Sequence, residues 1–467
     1  MWVPPPRPSR ILGGCLAACI AIFAADAALT PVFAQQTTTT PQPSPLQTPT
    51  TTTTPQGTTT PLAQQPRRKA PLGAPQEATT ARSESVLRRQ IMDRPPGYDV
   101  GSFIAHGEVQ AGVEYDDNIF RSNNAAGNPP PVSDFIGRIA PKVTLQSDWS
   151  EHALDFFIGS EFGFYLNNPS QNYINYAVGT HGRYDIDENQ SVDGTLEYYR
   201  NVLPRGTPGI GVFGNQSFVN VLNADVKYLY TGEPFYLRIG PRFQNNVFEG
   251  TAPSSNYNYF DVSARVGYRL TEEFSVFIDP SVQVVRYPGG IDFTGFDANS
   301  QGYDVRVGVT YDLSTEIGLE AAVGYYQRWY QAGAIAPDSG LSAKLALYWN
   351  PSENWSFEVT GMRGLSQYRV ITGTTPNGNA VATEVQARAG WLAKDNLLID
   401  VGVGYAIYEF QDISLNQNYL GADVGARYYF NENYWIGPRY FYSSATSSNP
   451  TVPYTDNRIM LTVGARL

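Results

Sequence analysis

Three histidines, His106, His152 and His181, are the only side chains here that titrate naturally near neutral pH. No serine stands at the spacing from them that a lipase or deacylase uses. A zinc site would need several His, Asp or Glu converging, and the sequence shows no such set. Both cysteines, Cys15 and Cys19, fall in a segment expected to be removed, which leaves no disulfide, thiolate ligand or cysteine nucleophile. Asp116-Asp117-Asn118 could bind a divalent cation, although turn chemistry at a strand end explains the same triplet. Gly209-Ile210-Gly211-Val212-Phe213-Gly214 matches a dinucleotide fingerprint as a string, but no helix follows and no βαβ unit surrounds it. The chain is therefore expected to be no enzyme and to carry no catalytic residue, cofactor or metal.

What remains is charge on one face of many strands. Arg138, Arg183, Arg238, Arg242, Arg265, Arg269 and Arg306 alternate with outward apolar residues, as do Glu108, Glu161 and Asp261. Arg238 and Arg242 fall on the strand paired with that of Arg265 and Arg269, so the four could form one basic ladder. Two readings stay open. In one, facing charges neutralise one another, since unpaired buried charge is costly. Alternatively, opposed walls steer polar or anionic solutes through a wet pore. Tyr236 and Tyr326, with Tyr199, Tyr348 and Trp435, share this face and could stack on sugar rings or simply fill space.

The elements that must position these residues are strands of about ten residues with period-two alternation, running from Ser102 to Leu467. In the last one Ile459, Leu461, Val463 and Leu467 lie on one face. About eighteen such runs occur. Eight short polar turns, near 148–151, 188–190, 231–234, 271–273, 314–316, 351–354, 394–396 and 431–433, alternate with long links. Residues 116–134, 201–215, 245–256, 287–299, 331–339, 366–382 and 443–454 form those links. Lipid tolerates no unpaired strand edge, so the pattern predicts an all-β transmembrane antiparallel up-and-down β-barrel, with short periplasmic turns and long external loops. Because the first link is long, both chain ends are expected in the periplasm. Outward aromatics beside the short turns, such as Tyr184, Phe235, Trp355, Trp391 and Tyr434, predict an interfacial girdle. A β-propeller has the same two-strand spacing, but its strands are shorter and no Trp-Asp signature marks these repeats.

Composition agrees. Charged residues make up 16% of the chain, below the usual quarter, while Tyr reaches 31 and Gly 43. A net charge of −11 argues against nucleic acid. Arg7 and Arg10, the apolar run Ile11–Ala25 and Val32-Phe33-Ala34 read as a signal peptide over 1–34. Leu12-Gly13-Gly14-Cys15 resembles a lipoprotein box, but its apolar run follows the cysteine. Residues 35–97 form a Thr/Pro/Gln-rich stretch expected to be a disordered periplasmic extension, with a short amphipathic helix near 83–92. It reads as a tether or as a segment that docks on the barrel. The barrel domain is expected over 98–467.

The series Gly101-Ser102-Phe103, Val113-Glu114-Tyr115-Asp116-Asp117-Asn118-Ile119-Phe120 and Ser147-Asp148-Trp149-Ser150-Glu151-His152-Ala153-Leu154 resembles the β-barrel porin type 2 family of Gram-negative outer membranes. Glu151 departs from the basic residue often found there, and Leu467 from the terminal aromatic common in such barrels. The resemblance implies an integral outer membrane protein, without catalytic residues, often associated with exopolysaccharide or capsule export. The partners it implies are membrane lipid and lipopolysaccharide, periplasmic export proteins, and the barrel assembly machinery during biogenesis. The function expected is passage of hydrophilic solutes. A surface or scaffold barrel with a blocked lumen is the alternative, and an outer membrane enzyme a third.

Overall fold

The computed structural model describes residues 97–467, except for 125–127, 204, 206–214, 251–255, 292–295, 314–315, 334, 368–370, 373–374, 377–378, 411–414, 450–451 and 467. The signal peptide, the extension, its helix and the 209–214 string lie outside the described residues.

The alternating runs form strands in chain order. They are β1 (Gly97–Val100), β2 (Phe103–Asp116), β3 (Asp134–Ser147), β4 (Ala153–Tyr165), β5 (Tyr173–Asp185), β6 (Gln190–Leu203) and β7 (Ser217–Tyr230). Next come β8 (Phe235–Glu249), β9 (Tyr257–Arg269), β10 (Phe274–Arg286), β11 (Ser300–Leu313), β12 (Ile317–Tyr330), β13 (Asp338–Ser352) and β14 (Trp355–Leu365). A small loop hairpin, β15 (Ile371–Thr372) and β16 (Thr375–Pro376), precedes β17 (Ala380–Lys394), β18 (Leu397–Phe410), β19 (Asn416–Tyr429), β20 (Tyr434–Ser447) and β21 (Tyr454–Arg466). One 19-stranded sheet holds all but the loop hairpin, and β2 pairs with both β3 and β21. Setting aside the four-residue β1 leaves a closed ring of eighteen antiparallel strands. Closure is what allows each backbone group within the membrane a partner.

All eight short turns expected from the sequence join strands at one end of the ring, and both ends of the barrel segment lie there. Two further links at the opposite end, 166–172 and 411–415, are too short to stand out as loops in the sequence. The outer face is apolar through the middle of the wall: Val113, Ile158, Val323 and Leu461 each expose half or more of their surface. Near the short turns this band ends in paired rings, Trp355 stacked 5.3 Å from Trp391 and Phe235 edge-to-face 5.1 Å from Tyr268. Toward the loops it ends in polar pairs, Arg200–Glu249 at 3.0 Å, Asn245–Asn258 at 2.7 Å and Arg363–Glu409 at 2.7 Å. These pairs mark where the wall leaves the hydrocarbon.

β1 was not foreseen. Four residues behind two prolines give little periodic signal, yet Gly97–Val100 hairpins onto Phe103–His106 through Gly101, whose φ of 64° suits glycine. Tyr98 and Val100 stand outward and exposed, sharing the face of Ala105 and Phe103. Among the described residues the wall begins with Gly97.

Candidate functional site

Inward side chains come from alternate positions of every strand, so their neighbours are set by register. Register gathers the lumenal charges into separate clusters. In the first, Arg138 on β3 bridges Glu114 on β2 at 3.0 Å and Glu161 on β4 at 2.9 Å. Tyr173 on β5 also accepts from Arg138 and donates to Glu161 at 2.6 Å. In the second, Arg265 on β9 is clamped by Glu320 at 2.8 Å and Asp279 at 2.9 Å, with its guanidinium 3.9 Å from the Phe277 ring centroid. Lys344 adds a second cation to Glu320 at 3.5 Å. In the third, Arg439 and Arg388 both engage Asp400 and Asp423 across β17 to β20, the Arg439–Asp400 contact being 2.6 Å.

The predicted basic ladder is thus divided. Arg238 does lie opposite Arg265 in register. However, Arg265 is neutralised as above, Arg242 pairs with Asp261 at 2.6 Å, and Arg269 reaches Glu233 of a short turn at 3.6 Å. Arg238 alone of the four makes no ion pair among the described residues. Of the other candidates, Arg306 is held by Asp304 two residues away at 2.9 Å, and Arg183 donates to Asp185 at 2.7 Å. Glu108 accepts from Gln110 at 2.9 Å.

Tyr236 and Tyr326 are on the inner wall but lie against it, 1% and 4% exposed. Each sits opposite a glycine, Tyr236 across from Gly267 and Tyr326 across from Gly340. A Cβ on Gly267 would stand 1.9 Å from Tyr236 Cζ, so the ring occupies the space a side chain would fill. Trp435 covers Gly464 in the same way. Aromatic cover of glycines is a packing device of sheets, and it leaves little ring face free in the channel.

At the loop end, several loops turn inward. Tyr287, Ala298 and Ile335 bury against the inward Tyr259 and Val285, which narrows that mouth. Arg121 reaches Asp456 at 3.4 Å and donates to the Arg205 carbonyl at 2.9 Å. Arg205 donates to Gln171 at 2.7 Å, and burial holds its guanidinium below the ordinary arginine range. Asp116, Asp117 and Asp456 come together here. Asp116 accepts from the Asn118 N–H at 2.7 Å, Asp117 from Asn457 at 2.8 Å, and Asp456 from Arg458 at 3.1 Å. Turn and ion-pair contacts occupy the triplet, and two guanidiniums, those of Arg121 and Arg458, offset part of its charge.

His106 and His181 fall on the inner wall, while His152 stacks on Tyr184 at a short turn, 4.4 Å between ring centroids. Sequence reasoning missed Tyr173, Asp279, Lys344 and Arg458. Their strand parity was the available signal, but only register reveals which charge each one meets.

A family model described as putative beta-barrel porin 2 matches residues 94–467. The chain belongs to that family. It is an outer membrane porin-like β-barrel. Among curated proteins, none matches it. Solved structures similar to it include the outer membrane protein opdK from Pseudomonas aeruginosa, at 12% identity over 78% of this chain and 99% of that one, TM-score 0.42. OccK2 (OpdF) of the same organism, in complex with glucuronate, is similar at 10% identity over 78% and 98%, TM-score 0.43. A BenF-like porin from Pseudomonas fluorescens Pf-5 is similar at 10% identity over 78% and 99%, TM-score 0.43. Likeness of this degree says nothing about cargo.

Proposed function

We propose that the barrel passes hydrophilic solutes across the outer membrane, with its short turns and both ends of the barrel segment on the periplasmic side. The observation that carries this reading is the charged inner wall of a closed ring. Three ion-pair clusters leave that wall polar but largely self-neutralised, as suits a wet passage for polar molecules more than a strong ion filter. Aromatic rings covering glycines add width rather than sugar platforms. Export of polysaccharide is a finer version that rests on the family resemblance alone. Arg238 is the residue through which charge selectivity would act, because its ladder neighbours are paired.

Planar-bilayer conductance tests the proposal. The purified chain should give steady conductance, and Arg238→Glu should shift the reversal potential in a salt gradient toward cations. Bilayers that stay closed, both with the full chain and after removal of residues 35–95, would overturn it.

A further inference from the structure

Among the described residues, Arg200, Arg286 and Arg363 face outward where the wall leaves the hydrocarbon. Two of them meet carboxylates, Arg200 with Glu249 at 3.0 Å and Arg363 with Glu409 at 2.7 Å. Arg286, the last residue of β10, differs. It shares the parity of the exposed Val276 and Ile278, and its Nη1 donates to the Val285 and Ser300 carbonyls at 3.1 and 3.2 Å. Among the described residues no carboxylate forms an ion pair with it. Arg286 is therefore a cation held in place at the membrane boundary and not neutralised by those residues.

Its neighbours on the outer face are amides and rings. Register sets Arg286 opposite Asn258 on β9, which accepts from Asn245 at 2.7 Å and keeps its own N–H donors. Two residues nearer the middle of the wall, Gln301 on β11 lies between Val284 on β10 and Trp329 on β12. Gln301 is exposed, and Trp329 is 39% exposed. The Trp329 ring lies 5.7 Å from that of Tyr303, whose hydroxyl donates to Gln327 at 3.2 Å. A fixed cation, two amides and a flat indole thus share one patch from β9 to β12.

A charge facing lipid is costly unless an anion meets it, and a phosphate does so with paired N–H···O bonds to the guanidinium. An ordinary phospholipid headgroup would answer the charge alone and leave the amides and the indole unused. The apolar face of a sugar ring fits an indole, and its hydroxyls donate to and accept from Asn and Gln amides. We propose that Arg286, Asn258, Gln301 and Trp329 form a site for the phosphorylated sugar headgroup of a membrane glycolipid, with phosphate on Arg286 and the sugar against Trp329. The site lies on the outside of the wall. It goes beyond solute passage and stands whether or not the lumen is open.

Lipid competition tests this. The full chain is folded in phosphatidylcholine vesicles holding equal small fractions of a diphosphorylated disaccharide lipid and of phosphatidylglycerol. It is then extracted in detergent, and the lipid retained by the heat-modifiable, folded fraction is measured by mass spectrometry. The glycolipid should be retained about tenfold over phosphatidylglycerol, and the preference should fall to near parity in Arg286→Gln and in Trp329→Leu. Arg363→Gln, which removes an arginine already paired, should keep the preference. Excess inorganic phosphate should leave the glycolipid in place. Equal retention of both lipids by the native chain, a preference that survives Arg286→Gln or Trp329→Leu, or displacement by inorganic phosphate would overturn the proposal, whatever the conductance of the barrel.

Discussion

Replacing Arg265 with alanine should destabilise the folded barrel by about 3 kcal/mol. The guanidinium is 2% exposed and its main acceptor, Glu320, is fully buried, so neither charge has water to fall back on. The substitution removes contacts of 2.8 and 3.1 Å to Glu320 and one of 2.9 Å to Asp279. Lys344 remains 3.5 Å from Glu320, which argues for the low end of the 3–5 kcal/mol seen when one partner of a buried pair is removed. The expected loss is roughly a hundredfold in the folding equilibrium. Urea unfolding in lipid vesicles, followed by tryptophan fluorescence, reads it as a lowered midpoint at unchanged slope. Arg265→Met combined with Glu320→Leu should recover most of the loss, because the penalty is a stranded carboxylate rather than a lost attraction. A loss under about 0.5 kcal/mol for the single variant, the range of ordinary surface changes, would refute the reasoning. So would a double variant no more stable than the single one.

Other expectations follow from the same wall. Val323→Arg, outward at the middle of β12, should cost about 2–4 kcal/mol by vesicle unfolding, whereas Tyr434→Arg beside a short turn should cost about 1 kcal/mol or less. Gly267→Ala should destabilise by about 1–3 kcal/mol, since its Cβ would overlap the Tyr236 ring, and Tyr236→Ala in the same chain should relieve part of that clash. A double-mutant cycle on Trp355 and Trp391, stacked 7° from parallel, should return a coupling of about 1 kcal/mol in the same assay.

Much of the architecture was legible because a barrel strand must alternate. Each of the eight short turns could be placed from polar dipeptides between apolar runs, and the even strand count followed. β1 was hidden because Gly-Tyr-Asp-Val is only two alternation cycles long and becomes a strand only by pairing with β2. The lumen was legible as a set of charges but not as pairs. Parity assigns Arg242, Arg265 and Arg269 to one face; strand register then gives Arg242 to Asp261 and Arg265 to Glu320 three strands away. Whether Tyr236 and Tyr326 offer ring faces to sugars or fill space stayed open in the sequence for the same reason. That a glycine lies opposite each one is a fact of register between strands distant in sequence.

The end-to-end placement of β21 and β1 has a consequence for how the chain can be cut. Topologically the ring has no beginning, because its first and last segments share a lane along β2 and end opposite His106 and Glu108, on either side of Gly107. Joining residue 466 to residue 97 through one intervening residue opposite Gly107 would make one uninterrupted strand, and new ends could then be opened at any of the short turns. A permuted chain opened at 188–189 would keep every strand pairing of the native wall while moving its two ends from the β2–β21 seam to the turn between β5 and β6.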